Sequence, residues 1–341
     1  MKPRVLLDFN AVIVAVTREA PRILVMRDAK FPVLSAAGTA PGPAFGADAL
    51  PHGPFNPAED RTLELGLRRW VRERTGLEVG YVEQLYTFGD RHRNPRELSG
   101  GPRVVSIAYL ALVREAPPSG TSEATWRDWY DFFPWEDWRQ GRPALIGRSI
   151  RPALASWIRS APDQEHRRER RERSEIRFGL SGAPWDFERV LDRYELLYEI
   201  GLASEARRDR EAAAGHASGG FPQVRGRDEL GEPMGLDHRR ILATALGRIR
   251  GKLKYRPVVF ELLPGVFTLL QLQRVMEALA GVRLHKQNLR RLVESAGLVE
   301  HTGRFETRTG GRPAELFRFR REVLRERPAP GVGLPGLRHL G

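Results

Sequence analysis

The stretch over residues 53–77 constrains the fold of this chain most. It opens on Gly53, Pro54 and Pro57, which read as loop, and reaches Glu59 before a regular pattern sets in. Over residues 62–74, Leu63, Leu67, Trp70 and Val71 recur at helical spacing on one side. Gly76 then stands where a left-handed glycine closes a helix. A helix with one apolar stripe must bury it against another layer. The flanking sequence offers that layer as strand-like runs at residues 4–16, 23–26, 81–88 and 103–113. A mixed α/β domain over residues 1–150 follows, with residues 38–57, rich in Gly and Pro, read as loop.

The polar side of this helix decides its chemistry. Trp70, Glu73 and Arg74 share a face at spacings of three and four residues. Three carboxylates in those places would hold divalent cations, neutralise a diphosphate and activate water. One carboxylate beside an arginine does this poorly, because the guanidinium repels the cation at short range. Glu64 lies nine residues before Glu73, two and a half turns away, and faces the other direction. Glu59 lies upstream in the loop. That face is thus a degenerate cation site, around which Glu59, Arg69 and Glu73 remain, and neither a metal nor metal-assisted hydrolysis is expected. Arg74 has the opposite use: it can supply the positive charge that a bound diphosphate needs. Arg27, Arg69, Arg91 and Arg103 are further candidates for anion contact, set against the ordinary surface role of an arginine. Tyr86 and Phe88 are candidates for stacking on an adenine, set against the core role usual for strand aromatics.

Charge is unevenly placed. The chain of 341 residues carries a net charge of +13. Residues 1–150 hold 20 Lys/Arg against 18 Asp/Glu, and residues 151–235 hold 15 against 16. Residues 236–327 hold 20 against 9, a net of +11. So local an excess is an electrostatic footprint for a polyanion. There is no cysteine, which excludes disulfides and thiolate metal sites. No apolar run approaches membrane-spanning length, and the apolar start at Val5 breaks at Asp8, too early for a signal peptide. A soluble cytoplasmic protein is expected.

The middle of the chain, 151–235, holds a mixed-charge stretch at 163–174, read as a solvated helix face or linker. An aromatic and aliphatic stripe follows from Trp185 to Tyr198 and reads as a packing surface. Residues 212–235 are rich in Gly, Ala and Pro and read as a mobile linker. After Asp237, an expected N-cap, Ile241, Leu242, Leu246, Ile249 and Leu253 mark an amphipathic helix. Thr268 and Gln271 form a capping-box pattern opening a second helix to about Ala280. A third helix spans residues 285–296. Strand candidates at 298–299 and 316–320 flank a basic turn. Two helices followed by a basic hairpin give the plan of a winged helix-turn-helix over 236–327, with 328–341 as a tail. Lys286, Gln287, Asn288, Arg290 and Arg291 crowd the start of the third helix, where donors reach base edges in a major groove. Arg304, Arg308 and Arg312 on the wing are suited to phosphates or a minor groove. Arg248, Arg250, Lys252 and Lys254 read as a second basic cluster for DNA.

These segments together resemble a known family. Gly53, Glu59, Arg69, Val71, Glu73, Gly76 and Leu77 fit the Nudix signature, with a gap two residues too long and Trp70 and Arg74 in place of two carboxylates. LPHGPF (50–55), LGLRRWVRERTGL (65–77), QLYTFGD (84–90) and RVVSIAYLALV (103–113) resemble the Nudix-related, NrtR-like transcriptional regulators of NAD metabolism. So do LKYRP (253–257), FELLP (260–264), FTLLQLQ (267–273) and TGGRPA (309–314). The chain departs from the family in an insert at 93–102 and in its long 151–235 region. The resemblance implies a Nudix-like α/β/α sandwich with a C-terminal winged helix-turn-helix, and a homodimeric repressor on a palindromic double-stranded operator. It implies no required cofactor, an effector such as ADP-ribose or a related adenine nucleotide, and no membrane partner. The ligand-binding candidates are then Arg27, His52, Gly53, Phe55, Arg69, Glu73, Arg74, Tyr86, Phe88 and Arg103. The competing reading is a Mg²⁺-dependent hydrolase of nucleoside diphosphate derivatives such as ADP-ribose, against which the carboxylate count argues.

Overall fold

The computed structural model describes residues 5–17, 19–32, 46–91, 93–94, 97, 100–119, 123–213, 230–307, 312–327 and 330–331. Two long strands, β1 (Val5–Thr17) and β2 (Ala20–Pro32), form an antiparallel pair around Glu19, whose φ is 66°. β3 (Gly46–Ala49) and β4 (His52–Pro54) follow, then helix α1 (Leu63–Thr75), β5 (Tyr81–Phe88), β6 (Arg103–Leu112) and β7 (Ala124–Asp128). The sheet order is β3-β2-β1-β6-β5, with β4 added to β1 and β7 to β2. β1 and β6 run parallel at its centre, from Val5 opposite Arg103 to Val14 opposite Leu112. Over residues 11–15 and 107–112 both are buried and carry no charged side chain, because both sheet faces are covered there. Phe9, Ala11, Ile13 and Ala15 face α1 with Leu67, Trp70 and Val71, whereas Val12 and Val14 face the opposite layer.

That opposite layer is built by the rest of the chain. A π-helical turn at Ile146–Ile150 leads into α2 (Arg151–Arg159), α3 (Gln164–Phe178), α4 (Val190–Glu199) and α5 (Ser204–Ala213). Next come α6 (His238–Tyr255), α7 (Leu269–Ala280) and α8 (Lys286–Ser295), the strands β8 (Phe267–Thr268), β9 (Val299–Glu306) and β10 (Ala314–Phe319), and a last turn α9 (Val323–Glu326). α6 and α7 both touch β1. One continuous apolar cluster therefore links the sheet, the Trp185–Leu197 stripe and the C-terminal helices. β8, β10 and β9 form an antiparallel sheet in that order, so α7, α8 and the β9–β10 hairpin complete a winged helix.

The expected elements are found with informative differences. Residues 38–57 contain β3 and β4 among their described part, because β1 and β2 offer free edges to short segments. β7, unforeseen from sequence, pairs with β2. Of the linker read at 212–235, residues 214–229 lie outside the described residues, while Leu230 and Met234 are buried. Asp237 stands at the N-cap of α6, but its side chain caps nothing. Its carboxylate is taken by Arg93 instead. Among the described residues no helix is long and apolar enough to cross a membrane.

Candidate functional site

α1 is fixed at both ends by local chemistry. Thr62 Oγ1 accepts the Leu65 N–H at 3.2 Å, and Gly76 at φ 72° returns its N–H to the Arg72 carbonyl. Trp70 turns inward over Gly53 of β4. A Cβ on that glycine would lie 2.0 Å from the Trp70 indole nitrogen, so the close approach requires glycine. Arg69 is gripped from three sides: by Asp60 at 2.7 Å, Glu73 at 3.2 Å and Glu59 at 3.7 Å. Asp60, which sequence reading passed over, is the anchor. It also accepts the Asn56 N–H at 2.9 Å and packs against Gly66. Burial raises the pKa of its carboxyl, but the hydrogen bonds from Arg69 and Asn56 and the Arg69 charge outweigh that and hold it below the usual range.

This donor set does not fit a divalent-cation cluster. A guanidinium already neutralises the carboxylates nearest to it, and among the described residues no group of three or more His, Asp or Glu is placed to hold a metal. Arg74 is exposed and has no ion-pair or hydrogen-bond partner among the described residues, which leaves its charge available to an anion. Phe55 packs edge-on against Phe9 at 5.7 Å. Tyr86 is 61% exposed, as a stacking surface must be, but Phe88 is 2% exposed and faces the core beneath Arg240. Phe88 is therefore a packing residue and offers no ring to a ligand. Arg103 donates to the Gly89 carbonyl, joining β6 to the end of β5. Arg27 is exposed on β2, opposite Asp48 of β3, and Arg91 is exposed beyond β5. Gly53, Phe55, Arg69 and Glu73 are gathered at α1 and its entry loop, whereas Arg27, Tyr86 and Arg103 lie on other strands.

His52 connects this region to the C-terminal helices. Its ring stacks edge-on against His238, at the start of α6, with centroids 5.0 Å apart. His238 Nδ1 accepts the Leu50 N–H at 3.1 Å, which fixes that nitrogen as unprotonated. Burial, then the charges of His52, Arg93 and Arg208, push His238 well below the ordinary histidine pKa. Beside it Arg93 donates from Nε to Asp237 at 2.9 Å and from Nη1 to Ser106 at 2.6 Å. Nothing local in the sequence signals these pairs, since 188 residues separate Leu50 from His238.

The winged helix carries the second face. The capping box of Thr268 and Gln271 is complete, with both reciprocal hydrogen bonds, and opens α7. Glu277 accepts the Leu284 N–H at 2.9 Å and a Gln273 amide at 2.8 Å, which sets the turn into α8. Leu289 and Val293 face inward, leaving Lys286, Gln287, Asn288, Arg290 and Arg291 exposed. Arg304 and Arg312 are exposed on the wing, and Arg308 lies outside the described residues. The expected α6 cluster is not a common surface. Arg250 is 1% exposed and bonded to Glu136, so it reaches no DNA. Arg248 and Lys252 both pair with Glu83 of β5 at 2.7 Å, and Lys254 pairs with Glu188. These side chains are committed because α6 packs between the sheet and the middle helices.

Comparison with known proteins agrees with this architecture. Residues 259–319 match the family model of the NrtR DNA-binding winged helix domain. The chain is 36% identical over 86 residues to the ADPR responsive transcriptional repressor NtrR of Acinetobacter baylyi. That match covers 25% of this chain, which spans about a third (34%) of the length of the curated relative. The structure resembles that of Shewanella oneidensis NrtR complexed with a 27mer DNA, with a TM-score of 0.52 at 20% identity, covering 93% of this chain and 94% of that one. A second structure of Shewanella oneidensis NrtR gives a TM-score of 0.51 at 19% identity, over 93% and 95% of the two chains. The fold is a mixed α/β domain followed by a C-terminal winged helix domain, and the likeness to the Shewanella structures spans both.

Proposed function

We propose that this chain is a DNA-binding repressor of NAD-related genes, in which a Nudix-like unit over 1–150 senses an adenine nucleotide such as ADP-ribose. Residues 151–235 join it to a winged helix over 236–327, with 328–341 as a tail. The observation that carries this reading is the outer face of α8. Lys286, Gln287, Asn288, Arg290 and Arg291 point outward from a helix seated on Leu289 and Val293, within a segment that matches an NrtR DNA-binding domain. Side chains of this kind on the second helix of a helix-turn-helix read base edges in the major groove. Arg304, Arg308 and Arg312 take the flanking phosphates. In the sensor, Arg74 and Arg69 face the diphosphate, with His52, Gly53, Phe55 and Glu73 around it, Tyr86 against the adenine, and Arg27 and Arg103 as outer contacts. The protein acts as a homodimer on a palindromic operator in the cytoplasm, since a twofold pair of winged helices matches a twofold site. It needs neither cofactor nor metal, and binds its nucleotide without cutting it, in keeping with the regulators it resembles and with the ADPR responsiveness of the Acinetobacter relative.

The test is operator binding by mobility shift on the protein's own upstream DNA and that of NAD-synthesis genes, with and without ADP-ribose, NAD, AMP and ATP. Specific binding relieved by one nucleotide is expected, with affinity falling steeply as salt rises. Binding that ignores sequence and every nucleotide would sink the proposal. Release of AMP from ADP-ribose is the companion assay. Robust Mg²⁺-dependent turnover lost in Glu73→Gln would instead make the chain a hydrolase.

A further inference from the structure

Away from both faces, a cavity of about 490 Å³ lies between residues 138–142 and the middle segment. Its wall is formed by Trp138, Arg142, Arg151, Leu180 and Trp185, with the turn over residues 179–183. The volume lies in the range of small-molecule sites. Trp138 and Trp185 meet with ring centroids 4.6 Å apart and planes at 43°. The Trp138 indole N–H is already spent on the Trp135 carbonyl at 3.2 Å, so this half-buried ring offers the cavity apolar π surface. The Trp185 indole N–H is buried and has no hydrogen-bond partner among the described residues, a costly state for a donor.

The charges complete the arrangement. Neighbouring arginines are committed, Arg139 to Asp137 and Arg193 to Glu136. Arg142 and Arg151 are exposed, and no carboxylate or carbonyl among the described residues holds either one. The turn that shapes the opposite wall keeps Ser181 at φ 54° beside Gly182 at φ 89°, a conformation that costs a serine free energy.

We infer that this cavity is a ligand site for a small planar ring bearing a carboxylate or phosphate, with the ring against Trp138 and the anion held by Arg142 and Arg151. Guanidinium forks match both anions, and an indole face holds the ring. The site also adjoins α6. The Arg193 guanidinium lies 4.0 Å from the Trp185 ring centre, and Arg193 shares Glu136 with Arg250 of that helix. The inference stands apart from the proposed regulatory role and survives or fails without it.

The experiment uses the full chain labelled with 5-fluorotryptophan, whose seven tryptophans give separate fluorine resonances. Trp138→Phe assigns the resonance of interest, and Trp70 reports the sensor site independently. The probes are indole-3-acetate as a ring carboxylate, AMP as a ring phosphate, and inorganic phosphate as an anion without a ring. A saturable shift of the Trp138 resonance is expected with indole-3-acetate or with AMP, and whichever acts identifies the source of the anion. Binding should weaken by roughly tenfold or more in Arg142→Gln/Arg151→Gln, the order set by losing charge-assisted hydrogen bonds. Both arginines are exposed and have no partner among the described residues, so the variant retains the described contacts. A Trp138 resonance that no probe moves, equal binding in the double variant, or an equal effect from phosphate alone would each overturn the inference.

Discussion

Glu136 has no solvent exposure, yet it is ionised between two arginines. Its carboxylate meets Arg193 at 2.6 Å and Arg250 at 2.5 Å, and all three side chains are buried. Burial raises its pKa, but the two guanidinium charges outweigh that and hold the carboxyl below its ordinary value. A carboxyl with a depressed folded pKa stabilises the fold above its unfolded value, and that contribution is lost as pH falls through the folded one. Removing the charge at neutral pH leaves two buried guanidiniums uncompensated. Glu136→Gln is therefore expected to cost about 3–5 kcal/mol in urea unfolding, and a loss below about 1 kcal/mol would mean that water reaches the triad. The acidic limb of the wild-type stability profile should flatten in the same variant.

Among the elements, those set by local chemistry were legible and those set by distant partners were not. The stripe of Leu63, Leu67, Trp70 and Val71 with Gly76 behind it predicts α1 to within a residue, because period and cap lie in one short segment. The same holds for α7, where Thr268 and Gln271 announce their own reciprocal bonds. Thr268→Ala is accordingly expected to cost about 1 kcal/mol, the usual worth of such a cap, read from the shift in thermal midpoint. An unchanged midpoint would show that packing alone holds α7. The α6 arginines teach the reverse. Arg248, Arg250, Lys252 and Lys254 look alike in sequence, but Glu83 and Glu136, more than a hundred residues upstream, take three of them. Gly53 was legible as a loop glycine, but the reason it must be glycine is the Trp70 ring, which only the folded helix brings over it. The exposed face of α8 was readable because Leu289 and Val293 lie in the same two turns as the donors they orient.

At the scale of the molecule, the N-terminal sheet and the winged helix are joined through the start of α6. Two latches lie side by side there: Leu50 to His238, and Arg93 to Asp237. The first is sensitive to acid. His238 is held neutral in the fold, because burial keeps its pKa well below the ordinary histidine value of 6.5. Its contribution is thus fully present above about pH 6.5 and is lost as pH falls below that, where the unfolded or undocked state binds a proton that the folded state refuses, at up to about 1.4 kcal/mol per pH unit. His238→Gln should remove that slope between roughly pH 6.5 and 5 in urea midpoints, and an unchanged slope would assign it elsewhere. The second latch tests communication. His52 precedes Gly53 of the candidate sensor site directly, and Asp237 directly precedes α6. If a nucleotide acts on DNA, the two sites must share a coupling free energy, and the contacts that differ between states must lie along some such junction. Asp237→Asn leaves Arg93, 3% exposed, without its carboxylate while leaving both faces intact. Operator affinity without nucleotide should change little, whereas the ratio of affinities with and without ADP-ribose should fall toward one. A ratio that stays at the wild-type value would place the coupling outside this junction, and the route through Glu83 and α6 would be the next to cut.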